Sequence, residues 1–270
     1  MTLCVAWKEN SNIHFASDSR LTLTKYNEKN DAIKFPVDCA IKVISIPYKL
    51  QNVTTKIIDR EGEIGMCIAG EAISALFIKE TFTEILKFLQ YIPDQADLSF
   101  DNIAKIIFLV YEKISKEINS FLYKKGISVM FIAGKLDYDE EIKCYKIGTE
   151  PSSNNQFMIE ALTNDYEFFG SGQVNAEKIF KENYNSVVNR NNLLCVLQEV
   201  IDNEDIKEVG GDIQYGRFED NKFRICGIIK HKDDGTVEYK RGLIDLNSSD
   251  YQMRDGNDFF LSFEYLVKEF

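Results

Sequence analysis

Thr2-Leu3-Cys4-Val5-Ala6-Trp7-Lys8 follows Met1 in the 270-residue chain, and Ile13-His14-Phe15-Ala16-Ser17-Asp18-Ser19-Arg20 comes after the linker Glu9-Asn10-Ser11-Asn12. The linker is rich in turn formers, so the spacing predicts strands over residues 2–8 and 12–18 joined as a hairpin. Such a hairpin folds Asp18 back towards Thr2. Initiator methionine before a small side chain such as Thr2 is commonly removed. Removal places a free α-amine beside a hydroxyl on one residue, which makes a self-contained base and nucleophile. An α-amine pKa of about 7.7–8.0 suits that role near neutral pH. Many chains begin Met-Thr with no such consequence, and Asp18-Ser19-Arg20 alone reads as a turn with a surface ion pair. The neighbouring blocks therefore decide the reading.

Outward from the hairpin, residues 20–40 read as polar and irregular. Ala40-Ile41-Lys42-Val43-Ile44-Ser45-Ile46-Pro47 alternates like a strand and stops at its proline. Residues 48–62 read as a loop or extended hairpin, and 64–69 as a short buried strand ending at Gly70. Helices are predicted over about 71–92 and 100–124. The second carries Ile103, Ile106, Ile107, Val110, Ile114 and Ile118 on one face, with Ser99 or Asp101 as cap. Strands follow at 127–134, 141–147, 156–162 and 166–170, then helices at 173–183 and 191–204. Strands return at 212–218, 222–229 and 236–244, with Asp233-Asp234-Gly235 as a hairpin turn. Residues 259–270 form a last amphipathic segment, read as a helix. Strands from both ends of the chain must share sheets, and the helix pairs must cover them. An α+β, four-layer αββα sandwich satisfies that burial. The expectation is a single domain over 1–270 with a C-terminal extension from about 245.

Composition narrows the function classes. The chain carries 43 acidic and 32 basic residues, a net charge of −11, which repels nucleic acid and anionic lipid. The six cysteines are scattered without zinc-site spacing, and read as buried thiols of a reducing compartment. The apolar run Leu3 to Trp7 is too short for a signal peptide, and no segment reaches about 18 uninterrupted apolar residues. A cytoplasmic protein with no metal, no cofactor, no nucleic acid and no membrane partner is expected. His14 and His231 lie in strand-like stretches without a triad context, and His14 points away from Thr2 if the hairpin alternates. No phosphate-binding glycine loop is present.

Four further blocks carry chemistry. Lys42 lies inside Ile41-Lys42-Val43-Ile44, where a charge is expensive unless paired; the alternative is a lysine on the solvent face of an edge strand. Ala69-Gly70 joins a strand to a helix. Phe168-Phe169-Gly170-Ser171-Gly172 does the same, where Ser171 alone would read as a helix cap. Val209-Gly210-Gly211-Asp212-Ile213 precedes a late strand.

These blocks, with the N-terminal one and in this order over about residues 2–230, resemble the proteasome β-subunit family and its bacterial relative HslV, which are N-terminal-nucleophile (Ntn) hydrolases. The resemblance implies that Thr2 is the nucleophile and that Lys42, held by Asp18, assists its proton transfer. It implies that Gly70 offers its N–H as the oxyanion donor, and that Ser171 hydrogen-bonds the N-terminal amine. Arg20 and Gly211 match supporting positions. The proteasome proper carries an acid and a serine just ahead of the late glycines. Here Ile206-Lys207-Glu208-Val209 stand there, and Asp205 is the nearest acid, one or two positions displaced. The implied function is a threonine-type peptidase acting on peptide or protein within a homo-oligomeric ring, which in many members is fed by an ATPase partner. A non-catalytic proteasome-like scaffold and an amidase acting on a small amide are the alternatives.

Overall fold

Strand β1 (Leu3–Glu9) sends alternate side chains into two different interiors, as the strand period of two requires. Leu3, Val5 and Trp7 enter one core; Cys4 and Ala6 enter another. A strand buried on both faces belongs to a middle layer, and the rest of the chain supplies what covers it. The computed structural model describes residues 2–26, 32–70, 72–93, 96–122, 129–136, 139–149, 156–219, 222–231, 235–241, 244–245 and 265–267.

Strand β1 pairs antiparallel with β2 (Asn12–Ser17) through a turn in which Asn10 and Ser11 both have positive φ (49° and 63°), the geometry of tight hairpins. Between β2 and the second sheet lies a separate hairpin, β3 (Leu21–Tyr26) with β4 (Ala32–Val37). The second sheet runs through β5 (Val43–Asn52), β6 (Ile58–Ala69), β7 (Leu89–Tyr91), β8 (Val129–Gly134), β9 (Lys143–Thr149) and β10 (Phe157–Ala161), in the spatial order β10-β9-β8-β6-β5-β7. The first sheet is completed by β11 (Tyr166–Gly170), β12 (Gln214–Glu219), β13 (Lys222–His231), β14 (Val237–Arg241) and β15 (Ile244–Asp245), in the order β11-β1-β2-β12-β13-β14-β15. Strand β16 (Tyr265–Val267) lies parallel against β13. Helices α1 (Ala72–Ile85) and α2 (Phe100–Leu122) pack on the second sheet; α3 (Gln173–Tyr184) and α4 (Arg190–Ile201) pack on the first.

Three cores separate the four layers. Ile64, Met66 and Ile68 of β6 meet Ile78, Phe82 and Ile107 of the helices above. Leu3, Val5 and Trp7 meet Phe180, Leu193 and Leu197 below. Between the sheets lie small side chains, Cys4, Ala6, Cys67, Ala69 and Ala133, interleaved with Phe15, Phe131, Phe218 and Phe223. Small residues let the two sheets approach; the four rings fill what remains. Gly65 is part of this fit, since a Cβ there would lie 2.3 Å from the Phe223 ring.

Several expected elements differ. Residues 20–40, expected to be irregular, contain the β3–β4 hairpin, signalled by the alternation Leu21-Thr22-Leu23-Thr24. Strand β5 does not stop at Pro47 but runs to Asn52. Strand β7 pairs only with Leu50–Asn52, so beside Pro47 β5 is an edge, where a residue without N–H is tolerated. The loop-or-hairpin stretch 48–62 is an extended hairpin. Helix α1 ends at Ile85, followed by a 3₁₀ turn and β7, rather than reaching 92. Neither Ser99 nor Asp101 caps α2 with its side chain. Asp139, from beyond β8, accepts the Phe100 and Leu136 amides at 2.8 and 2.9 Å, while Asp101 binds Lys143 and Tyr145. Ile106, placed on the buried face of α2 by its spacing, is exposed. In the final segment Tyr265–Val267 is strand rather than helix; the rest of 259–270 lies outside the described residues, as do residues 233 and 234 of the β13–β14 turn. Cys39 is exposed, unlike the buried Cys4, Cys67, Cys144 and Cys226. Among the described residues no helix is long and apolar enough to cross a membrane, and no cluster of His, Cys, Asp or Glu could hold a metal.

Candidate active site

The start of β1 is the point where the two sheets meet the segments that follow β2, β6 and β11 and those that precede β5 and β12. Thr2 is buried, and its carbonyl accepts the Ser171 N–H at 2.9 Å. Leu3 donates its amide to Asp18 Oδ1 at 3.0 Å, and Ser17 Oγ donates to the Leu3 carbonyl at 3.0 Å. The hairpin therefore delivers Asp18 to the N-terminus of its own first strand.

Asp18 has no solvent exposure, and Lys42 is 4% exposed. Lys42 is thus not on a solvent face, and its charge has a partner: Nζ lies 2.8 Å from Asp18 Oδ1 and donates to the Arg20 carbonyl at 2.6 Å. Asp18 Oδ2 accepts the amides of Arg20 and Gly210, both at 3.1 Å. Four donors converge on one carboxylate, which fills its lone-pair sites and compensates for its loss of water. Because the Leu3 amide and the Lys42 ammonium share Oδ1, the ammonium sits beside the Thr2–Leu3 peptide.

Lys42 is held from behind as well. Gln214 Oε1 accepts the amides of Lys42 and Val43 at 2.9 and 3.3 Å, and Gln214 Nε2 donates to the Ala40 carbonyl. The side-chain amide acts as a missing strand neighbour for the backbone just before β5. The Lys42 carbonyl accepts the Ile68 N–H at 3.0 Å, which ties the end of β6 to the site and brings Gly70 with it. Gly70 has φ +125°, a conformation glycine reaches and other residues avoid.

Arg20 makes a two-point ion pair with Asp38, Nε to Oδ1 at 2.7 Å and Nη2 to Oδ2 at 2.9 Å. This fork raises the arginine further and lowers the Asp38 carboxyl. Nη1 donates to the Val209 carbonyl at 3.2 Å, so Arg20 clamps the glycine loop over Asp18. A Cβ on Gly210 would lie 2.2 Å from the Arg20 guanidinium carbon, and one on Gly211 (φ +76°) 2.2 Å from Ser19 Oγ. Ser19 Oγ in turn accepts the Asp212 amide at 2.8 Å.

The structure thus brings together Thr2, Asp18, Lys42, Ser171, Arg20 and Gly211, and ties the β6 end that carries Gly70 to Lys42. Two expectations change. Ser171 reaches Thr2 through its backbone; its residue is exposed, and it does not cap α3, whose N-cap is Gly172. Asp205 is exposed on the loop after α4, bonded locally to Asn203, and the Gly210 amide rather than an acid serves the site from that loop. Asp38 and Gln214 were not legible from sequence. Neither carried a local signal: Gln214 opens a strand of mixed polarity, Gln214-Tyr215-Gly216-Arg217-Phe218-Glu219, and Asp38 lies in no motif. Cys4 and Cys67 lie between the sheets close by, but burial pushes the Cys67 thiol well up, so it is a packing group and not a thiolate.

His14 points away from Thr2, as expected. It stacks on Trp7 and bonds Tyr215 OH through Nδ1 at 2.7 Å. Burial lowers its pKa from 6.5 to about 4. Between those values the unfolded chain binds a proton that the folded protein refuses, so folding stability falls as pH drops from 6.5 to 4. The loss expected from this group is roughly 3 kcal/mol at most. Urea unfolding of the wild type and His14→Gln at pH 7 and pH 4.5 checks it: the gap between the two proteins shrinks at the lower pH.

No family model matches the sequence, and no curated protein matches it. Solved structures do. Anbu (ancestral beta-subunit) from Yersinia bercovieri superposes with a TM-score of 0.50 at 14% identity, over 83% of this chain and 87% of that one. The Gly-1 mutant of Anbu from Hyphomicrobium sp. strain MC1 superposes with a TM-score of 0.51 at 12% identity, over 88% and 87%. Two mixed sheets, three cores and paired helices on both outer faces, together with this likeness, give the chain the αββα fold of the Ntn hydrolases.

Proposed function

We propose that the protein is a threonine-type Ntn hydrolase, a peptidase whose nucleophile is Thr2 after removal of Met1. The observation that carries this reading is the buried Asp18–Lys42 pair sharing one carboxylate oxygen with the amide next to Thr2. A scaffold gains little from burying two charges, since apolar residues of similar volume stabilise as well or better.

In this reading the Thr2 α-amine takes the hydroxyl proton as Oγ attacks the peptide carbonyl carbon. The Lys42 ammonium already gives hydrogens to Asp18 and to the Arg20 carbonyl. Its third N–H is used by no described residue and stabilises the developing negative charge on Oγ. The oxyanion is held by the Gly70 N–H. The amine leaving group departs with the proton, leaving an ester on Thr2 that water hydrolyses. The Ser171 N–H holds the Thr2 carbonyl, which positions the backbone that carries the attacking group. A homo-oligomer fits the outer faces of α1 and α2, where Leu76, Phe77 and Leu109 are more than half exposed. The exposed Asp205 and Ser171 favour the second reading, a non-catalytic scaffold with the same fold.

Hydrolysis of a panel of fluorogenic peptide amides by the untagged chain separates the two. Activity in the wild type, retained in part by Thr2→Ser and absent in Thr2→Ala, is expected. Equal signals from wild type and Thr2→Ala would leave the scaffold.

A further inference from the structure

Two ion pairs stand back to back beside Thr2. The inner one, Asp18–Lys42, is buried. The outer one, Arg20–Asp38, is partly open to solvent, with side chains 22% and 38% exposed. The backbone of Arg20 joins them. Its N–H donates to Asp18 Oδ2 at 3.1 Å, and its carbonyl accepts the Lys42 ammonium at 2.6 Å. The place of this one stretch of backbone therefore sets where both members of the inner pair sit.

The Arg20 side chain is fixed in turn by Asp38. The carboxylate takes the Nε and Nη2 hydrogens, which leaves Nη1 aimed at the Val209 and Lys207 carbonyls at 3.2 and 3.4 Å. The guanidinium fills the space that a Gly210 side chain would need, and Asp38 Cβ lies 2.9 Å from where a Gly211 Cβ would stand. Arg20 and Asp38 together thus cover the two glycines, and the Gly210 amide is another donor to Asp18 Oδ2. The fork also spans the base of the β3–β4 hairpin, since Arg20 precedes Leu21 and Asp38 follows Val37. Charge points the same way. The two cations and two carboxylates of the cluster cancel. Arg20 first, and Lys42 after it, hold the Asp38 carboxyl below its usual range against the effect of burial. Without Asp38 the cluster has one carboxylate for two cations, and Arg20 repels the Lys42 ammonium.

We propose that Asp38 is a positioning residue of the Thr2 site: by holding the Arg20 side chain it fixes the backbone that seats the Lys42 ammonium and the Asp18 carboxylate. Its effect on turnover rests on the reading of Thr2 as nucleophile; its effect on the buried pair rests on geometry alone. The Asp38 carboxylate bonds Arg20 and no group that reacts, so its action passes through Arg20. A small displacement of a group that assists the chemistry is enough to slow it.

Amide hydrogen exchange and peptide turnover of the untagged full chain test this in Asp38→Asn and Asp38→Glu. In Asp38→Asn the Arg20 and Gly210 amides, both bonded to Asp18, are expected to exchange at least about tenfold faster, while the amides of β1 keep their wild-type rates. For the fluorogenic peptide amides, kcat is expected to fall about tenfold or more with KM within about twofold, the mark of lost orientation and not of lost binding. Asp38→Glu keeps the charge and is expected to recover part of both. Unchanged exchange in Asp38→Asn, or faster exchange with kcat unchanged, would overturn the inference and leave the hydrolase reading standing. Faster exchange alongside a wild type that hydrolyses none of the peptides would count against Thr2 as nucleophile, and would uphold Asp38 as the residue that seats the buried pair.

Discussion

Lys42→Met is expected to abolish peptide hydrolysis and to destabilise the fold by about 3–5 kcal/mol, the usual consequence of stripping one partner from a buried ion pair. The methionine fills the volume but leaves the fully buried Asp18 carboxylate facing an apolar side chain, with three backbone amides in place of three amides and an ammonium. The Arg20 carbonyl loses its donor in the same step. Catalysis falls for a separate reason: no cation remains beside the Thr2–Leu3 peptide, and a loss of about a thousandfold or more follows. A double-mutant cycle with Asp18→Asn divides the two effects. In the double variant the unpaired charge is gone, so stability recovers by about 2 kcal/mol or more relative to additivity, while hydrolysis stays absent. Urea denaturation reads the first quantity and peptide turnover the second. Additive stability losses would mean that the pair is not coupled as the geometry requires.

Gly170→Ala is the second large effect. Gly170 ends β11 opposite Leu3, with φ +118°. That conformation alone is strained for any residue with a side chain. Space makes it worse: the new Cβ would stand 1.8 Å from the Thr2 carbonyl oxygen and 2.7 Å from its carbon. Backbone cannot rotate aside as a side-chain tip can, so β1 and β11 must separate at Thr2, the proposed nucleophile. A loss above about 4 kcal/mol is expected, with no hydrolysis in whatever fraction folds. Gly172→Ala is the control. The three atoms nearest its Cβ would be side-chain atoms of Val209, Val200 and Leu3 at 3.0–3.3 Å, and a loss below about 2 kcal/mol is expected. Comparable soluble yield and urea midpoint for Gly170→Ala and wild type would show that Thr2 is not seated against β11 as described.

Much of the fold was legible because the strands are regular. Runs such as Val129-Met130-Phe131-Ile132-Ala133 are apolar without interruption, which a strand shows only when both faces are covered, and both are. The misreadings occurred where a long-range partner decides the outcome. Pro47 marks a strand end when judged locally, yet it sits on an edge that no local pattern reveals. Asp139 caps a helix that begins 39 positions earlier, and no motif spans such a gap. The α1 boundary failed because Leu89–Tyr91 pairs with β5, an override of helical periodicity by sheet formation.

The site divides in the same way. Thr2 and Asp18 stood out only through the resemblance of the ordered blocks, whereas Lys42 also stood out as a charge in an apolar run that needs a partner, which the N-terminal hairpin supplies. Gly170, Gly210 and Gly211 were visible as a pattern, but their reasons are steric and belong to Thr2, Arg20 and Ser19. Asp38 and Gln214 position Arg20 and Lys42 through contacts 18 and 172 residues apart. Nothing in a short window distinguishes them from any other polar residue.

The central claim is that Thr2 becomes a competent N-terminal nucleophile. Intact mass of the chain expressed without an N-terminal tag, before and after incubation with a peptide epoxyketone, tests it most directly. The account predicts a mass lacking Met1 and the gain of one adduct on Thr2, absent from Thr2→Ala. A mass that retains Met1 with no adduct would contradict it, and would leave the Asp18–Lys42 pair as part of a folded scaffold without chemistry.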